Sequence, residues 1–156
     1  MSMWIYLQGM KPSDLPRDLA AVEALFDVEF DELRQRVRAG RAVWLERGFF
    51  ELNEIYRPRS EPDGDRELPV FGGRHIPDPG GGPGHVVLEP AEVARAAVYL
   101  EGASFSDLCL EWWSQLPPSE QDEELREHLT QCHGDLRSFY GRSAEQGRAV
   151  VKYFSF

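Results

Sequence analysis

The first and last segments of the sequence have the composition of β-strands. Residues 3–8 read MWIYLQ, and residues 148–156 include Val150, Val151 and Tyr153. Aromatic and β-branched residues are enriched in strands. A strand at either end of a chain stays ordered only when it is tied into a sheet. We therefore predict that these two segments pair with each other and that helices pack on the sheet they form.

Apolar residues at helical spacing occupy most of the chain between these segments. The clearest series is Leu125, Leu129, Cys132 and Leu136, which recur at steps of three and four. Capping residues, prolines at first helical turns and glycines at helix ends set the boundaries. Ser13 and Ser119 are predicted N-caps. The patterns predict helices over residues 13–26, 30–40, 42–56, 90–102, 104–116 and 119–147, the last divided or bent at Gly134.

The remaining stretches lack helical periodicity. Residues 57–69 are rich in charge, proline and glycine and predict a mobile loop, whereas residues 68–71 and His85–Leu88 predict short strands. Residues 72–84 are irregular. The sequence thus predicts an α+β fold: a single compact domain over residues 1–156, with a small sheet that includes the paired terminal strands and about five or six covering helices.

Charge and composition exclude several classes of protein. The chain has 156 residues, with 27 acidic and 17 basic side chains and a net charge of -10, which argues against a nucleic-acid partner. Its densest basic group (Arg34, Arg36, Arg38 and Arg41) is interpreted as a solvated helix face. Apolar stretches are too short to span a membrane, and the opening lacks the pattern of a signal peptide. The two cysteines are too few for a disulfide framework, so the sequence predicts free thiols and a cytoplasmic protein.

A search for reactive groups gives little. The glycine-rich residues 80–84 lack the Lys-Ser/Thr ending of a phosphate-binding loop. His128 and Cys132 lie one helical turn apart, but a closed zinc site needs four ligands. Cys109 has apolar neighbours, which favour an unreactive thiol. We predict no metal and no cofactor, assign no catalytic residue, and favour a protein that is not an enzyme.

Several segments together resemble the YfbM-like family of small bacterial proteins of unknown function. They are residues 3–15, the Gly72–Gly73 pair, residues 84–93 and residues 136–150, which follow one order along the chain. The resemblance implies a compact α+β fold and a cytosolic bacterial protein, and it implies no activity. The chain departs from the family pattern where Leu45, instead of histidine, follows Trp44, and where residues 81–84 contain no tyrosine.

Two functions from different classes remain open. The first is a non-catalytic binding module that acts through a protein partner. The acidic surface of this chain would complement a basic surface on that partner. The alternative is an enzyme or small-ligand binder with a pocket near residues 72–88, for which Arg74 and His85 would supply polar contacts and Trp44 and Tyr140 an apolar wall. A homodimer contact through the double-tryptophan helix, residues 112–113, is a further possibility.

Overall fold

A five-stranded antiparallel sheet forms the centre of the computed structural model, which describes residues 3–57 and 64–156. Its strand order is β2-β1-β5-β4-β3. The strands are β1 (Trp4–Met10), β2 (Ala42–Glu46), β3 (Arg74–Ile76), β4 (His85–Leu88) and β5 (Ala149–Ser155).

The predicted pairing of the first and last segments is confirmed. Strands β1 and β5 pair antiparallel from Trp4 opposite Ser155 to Met10 opposite Ala149. Each of them has a second partner, β2 for β1 and β4 for β5, so both lie inside the sheet. The α+β fold class is likewise confirmed.

One face of the sheet carries the larger core. Side chains of alternate strand residues, such as Ile5, Leu7 and Val150, pack here against four helices. These helices are α3 (Phe49–Tyr56), α5 (Pro90–Gly102), α6 (Phe105–Ser114) and α7 (Glu123–Glu145). The short helix α4 (Gly64–Glu67) leads into the buried residues Leu68 and Val70 of the same core.

The opposite face is covered by two helices, α1 (Leu19–Phe26) and α2 (Phe30–Arg38). Val22 of α1 packs with Val87 and Val151, and Leu33 of α2 packs with Tyr6. The sheet therefore lies between two helical layers, and its buried apolar residues face one layer or the other.

The predicted helix over residues 42–56 is wrong in its first third. Residues 42–46 form β2, the chain turns at Arg47 and Gly48 with positive φ angles of 49° and 80°, and α3 begins at Phe49. Both faces of β2 are covered, so its apolar residues do not alternate with polar ones, and the run fits a helical pattern equally well. Pairing with β1 decides its conformation.

Two predicted helix starts are also wrong. Residues 12–14 form a single 3-10 turn, and α1 begins after Asp18, whose carboxylate accepts a hydrogen bond from the Ala21 N–H at 2.9 Å. Likewise Asp122, rather than Ser119, caps α7. In both places a 3-10 turn that contains proline and serine precedes the helix, and the capping aspartate follows that turn. The serine resembles an N-cap in the sequence, but it lies before the true start of the helix.

The stretch before β3 differs from expectation. Residues 58–63 of the predicted loop lie outside the described residues, and residues 64–67 are helical. Residues 68–71, predicted as a strand, form a turn that the Gly72 N–H closes by donating to the Glu67 carbonyl at 2.6 Å. The strand begins later, at Arg74.

The predicted helices that correspond to α2, α5 and α6 and the predicted strand at His85–Leu88 are confirmed. Helix α5 begins with Glu89 before Pro90, and the Glu92 carboxylate accepts a hydrogen bond from the Glu89 N–H at 3.0 Å. The predicted division of the last helix at Gly134 is wrong, because α7 runs unbroken through this residue and ends before Gly147, whose φ is 62°. Among the helices of the described residues, none has the length and apolar character needed to cross a membrane.

Glycine is required at position 73, and a matched glycine elsewhere provides the control. Gly73 has a φ of 131°, and a Cβ there would lie 2.6 Å from side-chain atoms of Val86 and Leu88. We expect Gly73→Ala to lower the free energy of unfolding by about 2 kcal/mol or more. Gly102, at the end of α5, has open space around it. Gly102→Ala should change stability by at most about 1 kcal/mol, in the stabilising direction.

Urea denaturation of the two variants and the parent chain measures both effects. Equal stability of the Gly73→Ala and Gly102→Ala proteins would contradict the packing described for the turn before β3.

Candidate functional site

Five phenylalanines cluster where β1 begins and β5 ends. Phe49 and Phe154 are buried, whereas the phenylalanine patch, defined as Phe50, Phe71 and Phe156, covers them from outside. Ring centroids lie 5.4 Å apart between Phe50 and Phe71 and 5.6 Å apart between Phe50 and Phe156. Phe71 also stacks on Phe154 at 5.7 Å. The patch therefore continues the main core outwards to the surface.

The patch exposes aromatic surface that the fold itself leaves uncovered. Phe50 is 43% exposed and Phe156 is 46% exposed. Other exposed apolar residues, such as Val98 on α5 and Leu110 on α6, are not part of this cluster. Single exposed apolar side chains are ordinary on protein surfaces, whereas contiguous aromatic groups mark surfaces that bind other molecules.

A buried lysine holds the turn that carries Phe71. Lys152 lies on β5 and is fully buried. Its Nζ donates hydrogen bonds to the carbonyls of Leu68 and Gly72, the latter at 2.8 Å. Burial lowers the pKa of the Lys152 amine well below its ordinary value, and the Glu92 carboxylate acts weakly against this. A neutral amine still has two N–H groups, one for each carbonyl.

Tyr140 of α7 binds the same turn. Its hydroxyl donates to the Leu68 carbonyl at 3.1 Å and the Pro69 carbonyl at 2.9 Å. Burial raises the pKa of this phenol well above its ordinary value, so it keeps its proton at neutral pH. Lys152 and Tyr140 thus satisfy the buried carbonyls of residues 68–72 and fix the turn beneath the patch.

The structure separates Tyr140 from the other three residues predicted to line a pocket. Trp44 and His85 lie on the face that α1 and α2 cover, and Arg74 is exposed on the edge strand β3 in register with Val87 of that face. Tyr140 is buried in the core on the opposite face. A common wall of Trp44 and Tyr140 is therefore not present, and a binding role for these residues stays a prediction.

His85 and Trp44 carry polar atoms that are buried without a hydrogen-bond partner. Both ring nitrogens of His85 and the Trp44 indole nitrogen lack one among the described residues. The His85 ring lies 5.0 Å from the Tyr153 ring and 6.4 Å from the Phe26 ring. Burial lowers the pKa of His85, and the charges of Glu23 and Asp78 act in the opposite direction. The imidazole is thus held neutral among aromatic side chains.

His133 and Cys132 on α7 and Cys109 on α6 are buried. The Tyr56 hydroxyl and His133 Nδ1 are 2.7 Å apart, and burial lowers the pKa of His133 to about 4. Burial also raises the pKa of Cys132 to about 11 and raises that of Cys109, which leaves both free thiols protonated. Residues 3–57 and 64–156 contain no group of three or more His, Cys, Asp or Glu side chains placed to hold a metal ion.

Sequence reasoning missed Lys152 and the phenylalanine patch. Lys152 is one of two lysines in the chain and stands between Val151 and Tyr153 in a predicted strand, on the face of Val150 and Phe154. A lone charge on the apolar face of a strand is the signal that could have found it. The patch has no local signal, because its members come from α3, the turn before β3 and the end of β5.

The fold has a known counterpart. The chain is similar to the crystal structure of a protein of unknown function, YfbM from Escherichia coli, with a TM-score of 0.59 and 15% sequence identity. The match covers 99% of this chain and all of that one. No protein-family model and no curated protein sequence matches the chain. At this identity the similarity establishes a YfbM-like fold, as the residue resemblance implies.

The protonation of Lys152 can be tested through the pH dependence of stability. The unfolded lysine keeps its proton up to about pH 10.4, whereas the folded one, with its lowered pKa, releases it earlier. Folding then releases a proton, so rising pH stabilises the native chain. We expect the free energy of unfolding of the parent, minus that of Lys152→Met, to rise between about pH 8 and 10, by at most about 1.4 kcal/mol per pH unit.

Tyr140→Phe is the matched control, since it removes the second contact with the turn and keeps Lys152. It should lower stability by about 1–2 kcal/mol, by a constant amount below about pH 9. Urea denaturation across the pH series gives all three curves. A difference between the parent and Lys152→Met that does not vary with pH would show that folding leaves the charge of Lys152 unchanged.

Proposed function

We propose that the chain is a non-catalytic, cytoplasmic binding module that uses the phenylalanine patch to hold a protein partner. The observation that supports this most is the exposure of Phe50 and Phe156 over a buried phenylalanine pair. Clustered aromatic side chains dominate the binding energy of protein interfaces. The side chains of the patch are hydrocarbon, and Lys152 beneath it is bound to carbonyls, which favours binding over catalysis at this surface.

Charge suggests what kind of partner fits. The net charge is -10, and Glu46 and Glu51 stand near the patch along the chain at the end of β2 and the start of α3. Opposite charges around an apolar centre speed association and exclude wrong partners. The partner we propose is therefore a protein segment with apolar side chains at its centre and Lys or Arg at its rim.

We also propose that the chain is a divergent member of the YfbM-like family. Two segments of the resemblance correspond to defined structures, which supports common ancestry. Residues 84–93 comprise a left-handed glycine, β4 and the capping box of α5. Residues 136–150 comprise the end of α7, its glycine stop and the start of β5.

The partner hypothesis can be tested by affinity capture with three forms of the protein. We expect the parent and Val98→Glu to retain the same protein from a native lysate at moderate salt. The double variant Phe50→Glu/Phe156→Glu should retain at least about tenfold less of it, because two charges would be buried at the interface. Val98 is 74% exposed on α5, away from the patch, so Val98→Glu also replaces an exposed apolar side chain with glutamate and serves as the control.

Quantitative mass spectrometry reads the captured protein, and circular dichroism confirms that each variant is folded. Equal capture by all three forms contradicts a role for the patch. Sedimentation at several concentrations decides the homodimer alternative: Leu110→Glu on α6 should dissociate a dimer built on the double-tryptophan helix, whereas the patch variant should dissociate one built on the phenylalanines.

A small-ligand site near residues 72–88 is the second candidate. It is favoured by the buried His85 ring, whose two nitrogens lack partners among the described residues. A ligand with a donor and an acceptor would satisfy both. Native mass spectrometry should then detect a small molecule on the purified parent and none on His85→Phe. If His85→Phe is as free of ligand as the parent and more stable by about 1 kcal/mol, the ring serves only in packing.

A further inference from the structure

Arginines gather at the end of the central strand pair opposite the phenylalanine patch. Here β1 ends, β2 begins, and the chain passes from α7 into β5. A cavity of about 480 Å³ opens at this end, lined by Gln8, Glu32, Gln35, Arg36 and Arg41. This volume is typical of sites for small molecules. Its lining is polar, so a ligand that fits it is hydrophilic.

Arg36 is a fixed and largely buried charge in the cavity wall. Its side chain is 12% exposed, and it donates to the Gln8 amide oxygen at 2.8 Å, the Leu25 carbonyl at 3.2 Å and the Glu32 carboxylate at 2.7 Å. These three bonds use three of the five N–H groups of the guanidinium. The Tyr6 hydroxyl also faces this guanidinium, so at most two of its donors are left for a ligand. The contacts hold the group in place before any ligand arrives.

Arg41 and Arg142 add charge from other elements. The Arg41 backbone is fixed, since its N–H donates to the Arg36 carbonyl and its carbonyl accepts from the Gly9 N–H. The Arg142 guanidinium of α7 lies against Gly40, where a Cβ would be 2.8 Å from Nη1. Within the described part of the chain, no carboxylate forms an ion pair with Arg41 or Arg142.

The surroundings of Gly9 show that the segments carrying Arg41 and Arg148 also meet at this end of the sheet. A Cβ on Gly9 would lie 3.5 Å from Arg148 Cδ and 3.6 Å from the Arg41 carbonyl oxygen. Burial raises the pKa of Tyr6 to about 12, while Arg36 and Arg41 both act to lower it. Glu32 pairs with Arg36, whereas Arg41 and Arg142 have no ion-pair partner among the described residues. An anion bound at this end would supply the counter-charge that these two arginines lack.

We propose that this cavity binds a small hydrophilic phosphate ester, with the phosphate between Arg36 and Arg41 and Arg142 at the rim. Guanidinium groups bind phosphate oxygens through paired, charge-assisted hydrogen bonds. The amides of Gln8 and Gln35 and the free oxygen of Glu32 suit the hydroxyl groups of a sugar or polyol. Two of the four arginines that are interpreted from the sequence as a solvated helix face, Arg36 and Arg41, thus belong to the proposed ligand site.

Isothermal titration at low ionic strength, with inorganic phosphate, glucose 6-phosphate and glucose as probes, tests this. We expect glucose 6-phosphate to bind with a Kd below about 1 mM, inorganic phosphate to bind more weakly and glucose not at all. Arg41→Gln and Arg142→Gln should each weaken binding of the ester about tenfold or more. Circular dichroism verifies that the variants are folded.

Arg74→Gln is the matched control, because Arg74 is exposed on β3 and belongs to the alternative site near residues 72–88. It should leave the affinity unchanged. Absence of binding by the parent up to about 10 mM, or affinity that depends on Arg74 instead of Arg41 and Arg142, overturns the proposal. Equal affinity for inorganic phosphate and the ester overturns the assignment to an ester.

Discussion

The hydrogen-bonded ladder between β1 and β5 is the constraint on which the rest of the structure depends. It places the first and last segments of the described chain side by side in the middle of the sheet. With those two strands fixed, β2 and the β3–β4 pair can only extend the sheet outwards. The alternation of side chains along β1 and β5 then divides the helices into two layers, with α3 to α7 on one face and α1 and α2 on the other.

This ladder also determines where surface chemistry accumulates. At one end of it, Phe154 and Phe156 of the β5 terminus meet aromatic residues from α3 and the turn before β3. At the other end, the chain enters β2 and β5 through turns that carry Arg41 and Arg148. The two proposed binding surfaces therefore have opposite character and lie at opposite ends of one strand pair.

The parts of the fold that were predictable have strong local signals. The proline and the two glutamates that start α5 fix its first turn wherever it packs, and the strand composition of residues 148–156 has no helical alternative. Strand β2 was missed because its apolar side chains face two cores, so its pattern is not periodic, and only pairing with β1 distinguishes it from a helix. The role of Lys152 was missed because its partners are backbone carbonyls 80 and 84 residues away, and no sequence pattern encodes such a pairing.

The order of strands has a consequence for how the protein folds while the ribosome makes it. Before β5 emerges, β1 can pair with β2 and β3 with β4, but nothing joins the two ribbons. Two-stranded ribbons are marginally stable by themselves, and each would expose an unpaired edge. The sheet therefore cannot close until β5 has been made, and until then both ribbons keep an edge that can pair with other chains.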